Sequence, residues 1–256
     1  MNDVSLEAGL SSRASRRRIR AFDAVVLTLL TMALWQAIGS WTKGVAVSPP
    51  LPTLLYLFGL LRTSMFWNHA AATLAAFLLA FALSALLGLA LGLIFAEPGL
   101  AGFYTIPKVT LYPVVLLVFG LGMSAKVAFG VMHGLVPMTL FTLGAVRNLP
   151  PVLIRTSRVL RLSPDRMIRW VLVPACLPDI VNGLRISFSL SLLGVLIGEM
   201  FSSQRGLGFL LVNGMAQNNV PLSTAVVTVI VVVAIAANTL MLRIGRPAER
   251  RANRNE

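Results

Sequence analysis

The sequence predicts an all-α protein that crosses a bilayer six times and carries a cytoplasmic loop between its fourth and fifth spans. Three observations carry this. Hydrophobic residues make up 57% of the 256 residues and charged residues 12%, about half the quarter that a soluble globular domain carries. Charge-free runs close to the roughly 20 residues that cross a hydrocarbon core as a helix recur along the chain. The basic residues fall between those runs, and predominantly on one side. The mean hydropathy of +0.82 agrees, because a water-soluble fold of this length has too little interior to hide so much apolar surface.

The runs follow in order. The first, residues 24–42, comes after Arg16, Arg17, Arg18 and Arg20. It exceeds the hydrophobic region of a cleaved signal peptide and no A-x-A site follows, so a retained span is expected. The second, residues 70–96, is bounded by His69 and Glu97. Within it Gly88 and Gly92 share a face with Ala80, Ser84 and Ala85, and small residues at that spacing let helices of one chain approach closely in lipid. The third and fourth are residues 109–125 and 127–146. The fifth, residues 171–201, contains Asp179, Arg185 and Glu199, and the sixth is the valine-rich stretch 222–242. The expected division is a basic tail over residues 1–21, a membrane domain over 22–245 and a second basic tail over 246–256. Residues 1–15 and 248–256 are polar enough to lack structure.

Charge then sets orientation. The 22 bases and nine acids give a formal net charge of +13, which in a soluble chain points to nucleic acid or another acidic partner. Once the spans are removed, no basic and aromatic surface remains, so no nucleic-acid partner is expected. With the N-terminus inside, the cytoplasmic segments hold Arg13 to Arg20, the six arginines Arg147, Arg155, Arg158, Arg161, Arg166 and Arg169, and Arg243 to Arg254. The opposite loops hold Lys43, Arg62, Lys126 and Arg205. Basic residues concentrate in cytoplasmic loops, so both termini are expected there.

The loop between spans four and five is the most informative stretch. Pro150 and Pro151 suit an extended lead into a helix, and Leu153, Ile154, Ser157, Leu160 and Arg161 follow at helical spacing. Ser163, Pro164 and Asp165 read as a second start, with Ser163 as N-cap and Pro164 at the first position. Met167, Ile168, Val171 and Leu172 supply the next apolar stripe, and Pro174 and Pro178 interrupt re-entry to the membrane. Two short amphipathic helices beside arginines suit anionic membrane lipid or a cytosolic protein equally well.

Other chemistry finds little support. No G-x-x-x-x-G-K-[ST] phosphate loop occurs; Gly120 to Lys126 lacks the spacing. The single Cys176, among Val171, Leu172, Val173 and Leu177, excludes an internal disulfide and a multi-cysteine metal site and reads as a buried, inert thiol. His69 and His133 lie far apart and are expected at membrane interfaces rather than in a catalytic or metal site. Asp179 and Arg185 are expected to pair or to lie at the interface, and Glu199 to serve a gate or face water, since charges within spans are costly. A secondary transporter or channel would need a midplane ion site, and an intramembrane enzyme a catalytic constellation; neither is visible.

Several segments, taken in order, carry a resemblance. Ser48-Pro49-Pro50-Leu51-Pro52 follows the first span. Pro113 leads to Phe119-Gly120-Leu121-Gly122. In the long loop Arg155-Thr156-Ser157, Arg161 and Val171-Leu172-Val173-Pro174 stand at fixed spacing, continued by Leu177-Pro178 and Gly183-Leu184-Arg185. Gly198-Glu199-Met200 is followed by Gly206-Leu207-Gly208. Together these resemble the membrane permease of an ATP-binding cassette importer of the nitrate, sulfonate and taurine type. Its loop has the form Glu-Ala-Ala, three residues, Gly, nine residues, Ile-x-Leu-Pro. This chain departs from it with Arg155 for Glu, Thr156-Ser157 for the Ala pair and Arg161 for Gly.

The resemblance implies a permease subunit that is not an enzyme, in a bacterial inner membrane. A cytosolic ATPase dimer would hold ATP and Mg, and this chain no cofactor. A second permease copy or paralogue and a periplasmic substrate-binding protein would complete the importer. It implies that the loop, about residues 148–172, docks the ATPase through Arg155, Thr156, Ser157, Arg158 and Arg161. Leu162, Ser163, Pro164, Asp165, Val171 and Pro174 continue that surface. Glu199, Gly206 and Gly208 are implied as part of the pathway or its gate.

Overall fold

The computed structural model describes residues 22–23, 25–94 and 108–252. The described elements are helical. Helix α1 covers Val25–Trp41, α2 Pro50–Leu60 and α3 Ser64–Ile94. A 3-10 turn over Lys108–Leu111 leads into α4, Tyr112–Phe119, and α5 covers Met123–Arg147. The long loop folds as α6, Pro151–Val159, and α7, Pro164–Met167. A π-helical stretch, Ile168–Leu172, joins α7 to α8, Val173–Ser202. The chain ends with α9, Leu207–Ala216, and α10, Val220–Ala252. The fold is an all-α polytopic membrane protein.

Among the described residues, four segments are long and apolar enough to cross a membrane: Ser64–Ile94, Met123–Arg147, Asp165–Phe201 and Val220–Arg243. They contain the second, fourth, fifth and sixth expected runs, apart from Phe95 and Ala96, which lie outside the described residues. The first run appears as the shorter Val25–Trp41. The third is divided rather than continuous. Gly120 and Gly122 have φ of 71° and 109°, backbone that residues with a Cβ seldom adopt, so α4 stops at Phe119 and α5 begins at Met123. Ala125 and Lys126 therefore belong to α5. Helix α10 continues to Ala252, past the expected start of the second tail. The first tail lies outside the described residues, as do Glu97 and residues 253–256.

Helix α5 packs between α3 and α8, and small residues set how closely. A Cβ at Gly88 would stand 2.6 Å from Met138 Cβ, and one at Gly92 2.5 Å from Thr142 Cβ; Ala80 and Ser84 beside them are fully buried. The α3 stripe read from the sequence is thus an intrachain seam. On the other side of α5, a Cβ at Gly194 would meet Phe129 O at 2.7 Å, and one at Gly198 would meet Lys126 Cα at 2.9 Å. Ser191 Oγ donates to Ser84 Oγ at 3.3 Å across this core. Cys176 is buried with Met138, Ala145, Leu149 and Ile180, as its apolar neighbours in sequence indicated.

The proline motif after α1 ties the ends of the domain together. Trp35 Nε1 donates to Ser48 O at 2.9 Å, and Thr53 Oγ1 donates to Pro49 O at 2.8 Å. Ser48 N donates to Thr224 Oγ1 on α10 at 3.3 Å. Pro50 opens α2 at a position whose N–H has no helical partner anyway.

Candidate functional site

Two places concentrate chemistry. The first is a buried polar knot where α3, α5, α8 and the start of α9 meet. Lys126 Nζ lies 3.1 Å from Glu199 Oε1, and both side chains are almost wholly buried. Lys126 Nζ also donates to Arg205 O at 3.2 Å. Thr73 Oγ1 on α3 donates to the same carboxylate, 2.8 Å from Oε2.

The knot also caps a helix. The first N–H groups of a helix have no partner within it, and side chains from other helices serve three at the head of α9. Gly206 N donates to His69 Nδ1 at 3.0 Å, Leu207 N to Thr73 Oγ1 at 2.8 Å, and Gly208 N to Glu199 Oε2 at 3.1 Å. Accepting at Nδ1 requires that nitrogen to be unprotonated. A carboxylate at a helix N-terminus is further favoured by the helix dipole. Gly206 has φ of 130°, and a Cβ there would collide with the Glu199 carboxylate. A Cβ at Gly208 would stand 2.5 Å from Leu196 O. The three residues Glu199, Gly206 and Gly208 are therefore one contact set.

Sequence reasoning missed the partner. Lys126 was expected in an external loop and lies buried at the start of α5; Glu199 does not face water. The signal was present: a lone lysine between two charge-free runs and a lone acid late in the fifth run are each costly in lipid unless paired. One histidine differs from expectation too. His133 is buried within α5, its Nδ1 2.8 Å from Phe129 O, and His69 belongs to the knot. Two open pockets flank it, of about 710 Å³ beside Lys126, Gly122 and Phe201 and about 650 Å³ beside Asn68 and His69; Gln204 and Arg205 line both.

The second place is the α6–α7 loop. Arg155, Thr156, Arg158 and Arg161 are exposed, as are Val152, Val159 and Leu160, whereas Ser157 is buried. Ser157 Oγ donates to Ile154 O at 2.8 Å. Helix α6 ends in a Schellman motif: Leu162 N donates to Ser157 O at 3.1 Å and Arg161 N to Arg158 O at 3.0 Å. Arg161 occupies the left-handed position with φ of 49°, the place such motifs usually give to glycine. Ser163 precedes Pro164 at the start of α7, and its carbonyl accepts from Met167 N at 2.9 Å, as the sequence predicted. Asp165 is exposed, Leu162 and Val171 are half-buried, and Pro174 is exposed at the start of α8.

This order of helices, with a helical loop before the fifth expected span, can be compared with known proteins. Residues 100–254, more than half of the chain, match the family of binding-protein-dependent transport system inner membrane components. The chain belongs to this family.

It is accordingly an inner-membrane permease component of a binding-protein-dependent importer of small solutes, with ATP hydrolysis assigned to a separate subunit. The permease is 27% identical over 227 residues to a probable ABC transporter permease protein of Haemophilus influenzae, covering 85% of this chain and 93% of that one. It is 26% identical to the putative aliphatic sulfonates transport permease SsuC of Bacillus subtilis, covering 78% and 77% of the two chains. The taurine transport permease TauC of Escherichia coli is 26% identical over 56% of each chain. The permease also shares its fold with the methionine ABC transporter MetNI in an inward-facing conformation, with a TM-score of 0.63 at 21% identity over 72% of this chain and 96% of that one. ATPase and substrate-binding-protein partners follow from the family in general.

Proposed function

We propose that this permease forms half of a translocation pathway for a small solute of the nitrate, sulfonate and taurine class, and that its α6–α7 loop couples the pathway to a cytosolic ATPase dimer. ATP and Mg belong to that dimer. A second permease, a copy or a paralogue, completes the pathway, a periplasmic binding protein delivers the solute, and both termini lie in the cytoplasm. The relatives named for aliphatic sulfonates and taurine support the solute class.

The observation that carries the coupling role is the surface of α6. It is a short helix closed at both ends, by Pro151 at its start and the Schellman turn at Arg161. Exposed Arg155, Arg158 and Arg161 stand among exposed Val152, Val159 and Leu160. Apolar anchors beside arginines are the composition of protein-binding surfaces. Thr156, Ser157, Leu162, Ser163, Pro164, Asp165, Val171 and Pro174 shape or continue that face. The arginines require an acidic groove on the ATPase. Glu199, Gly206 and Gly208 hold α9 against α3 and α8, so opening the pathway beside them requires the knot to move as a unit or to part.

Reconstituting the complex with Arg155→Glu and Arg161→Glu together tests the coupling role. Solute-linked ATP hydrolysis should fall at least about tenfold, the cost of reversing charge at a complementary contact. An unchanged linked rate would refute docking through these arginines.

A further inference from the structure

A groove of about 520 Å³ lies between α3, α8 and α10, with Leu207 of α9 at one end. Helix α8 forms its floor through Phe188, Leu192 and Leu196, all half-buried, while Leu74, Leu78 and Val233 at its rims are exposed. Phe66 and Leu207 at one end belong to one buried apolar cluster. Phe77 belongs to another, against which Phe188 and Leu192 pack. The groove is thus a gap between two parts of the core, where a close-packed interior would leave none.

Its dimensions say what fits. From Phe66 to Leu78 the α3 wall runs about 18 Å at 1.5 Å per residue, a little over half of a hydrocarbon core of about 30 Å. It starts beside exposed Arg62 and Trp67, residue types that mark the edge of the hydrocarbon region. The groove therefore spans one leaflet. Spread over that length, its volume leaves a channel about 6 Å across, half the 10–12 Å of a helix with its side chains. It is too narrow to seat a helix of a second copy. It also offers a polar solute nothing: Thr73 Oγ1 is engaged by Glu199, and Trp67 Nε1 donates to Leu61 O at 2.9 Å.

We propose that this groove binds one acyl chain of a phospholipid, with the phosphate at Arg62 and the chain running from Trp67 towards Ala237. The exposed guanidinium supplies the complementary charge, as a planar fork of donors suited to phosphate oxygens. The chain lies against Leu207 and Thr73 and fills the space beside the head of α9. With both termini in the cytoplasm the lipid belongs to the outer leaflet; that assignment rests on the permease reading, whereas the groove does not.

Photo-labelling tests the site. The full chain is placed in phosphatidylcholine nanodiscs holding increasing mole fractions of phosphatidylglycerol with a diazirine midway along one acyl chain, then illuminated and digested for mass spectrometry. Adducts on the α8 floor, at Phe188, Leu192 and Leu196, should saturate. Adducts on Leu117 of α4, which is 86% exposed, should rise in proportion to the probe. Arg62→Gln should raise the mole fraction for half-saturation about fivefold, the effect of one basic residue at an anionic surface, and leave Leu117 unaffected. No adducts on the floor, adducts that rise there as they do at Leu117, or a half-saturation indifferent to Arg62→Gln would each overturn the proposal. The leaflet is read separately with Ser64→Cys and a membrane-impermeant maleimide in spheroplasts, against native Cys176, which is 1% exposed. Labelling from outside supports the outer leaflet; labelling only after lysis would overturn that assignment and the orientation, not the groove.

Discussion

Lys126 and Glu199, 73 residues apart in sequence, meet at 3.1 Å inside the helix bundle, and the carboxylate has no solvent exposure. An ion pair so placed contributes little net stability, because desolvation offsets most of the attraction. Removing one member is costly, since it strands the other charge. Thr73 Oγ1 and Gly208 N at the head of α9 share the carboxylate, so this pair connects α3, α5, α8 and α9.

Glu199→Ala should destabilise the purified permease by about 3–5 kcal/mol, read as a lower melting midpoint in detergent. Glu199→Gln should cost less, because an amide oxygen still accepts from Gly208 N and Thr73. The double variant Lys126→Met with Glu199→Gln should be more stable than Lys126→Met alone, as no buried charge then lacks its partner. Additive losses in the two single variants and the double would show that the residues act independently.

Gly206 and Gly120 both have positive φ, yet they should differ on substitution. Nothing lies within 4 Å of a Cβ at Gly120, so Gly120→Ala meets only the backbone cost of about 1–3 kcal/mol. Gly206→Ala drives a methyl into the Glu199 carboxylate as well, and should lower folded yield far more in fluorescence-detected size-exclusion chromatography. Equal yields would contradict the close approach of α9 to Glu199.

Arg161 holds the left-handed position of the Schellman turn with a side chain that disfavours it. Arg161→Gly should stabilise the loop by about 1 kcal/mol by removing that strain, measurable as slower hydrogen exchange over residues 151–162. The same change removes a charge from α6. It therefore separates conformation from docking: exchange should slow while ATPase affinity falls.

Gly92 packs against Thr142 so closely that a Cβ would stand 2.5 Å away. Gly92→Val should force α3 and α5 apart, and overpacking of this kind costs about 1–3 kcal/mol or more. Gly59, which has nothing within 4 Å of its Cβ, should accept alanine with no loss of melting temperature.

Much of this architecture was legible in the sequence because lipid imposes simple rules. The apolar runs marked α3, α5, α8 and α10, and the small residues Ala80, Ser84, Gly88 and Gly92 marked a close helix seam. The start of α7 at Ser163-Pro164 was legible for a different reason, since both residues act within one turn. The division at Gly120 and Gly122 was not, because the run is uniformly apolar and hydropathy does not register backbone φ. The Lys126–Glu199 knot was hidden because it depends on which helix faces meet, a tertiary relation between residues with no periodic signature. Helix α9 escaped notice as well: its turns are too few to show a pattern, and its first N–H groups are capped from α3 and α8 rather than by a neighbour in sequence. The glycine-to-arginine departure at Arg161 was visible as a mismatch, and acquired its physical meaning when the turn placed φ at 49°.

The central claim is that this permease is driven through α6 by a separate ATPase. The most direct measurement places a photo-crosslinking amino acid at Thr156, isolates the tagged permease in mild detergent after illumination, and identifies the adducts by mass spectrometry. The account predicts a near-stoichiometric cytosolic ATPase in the preparation, covalently joined through position 156. Recovery of the permease alone across detergents, or of an ATPase that never joins at position 156, would contradict it.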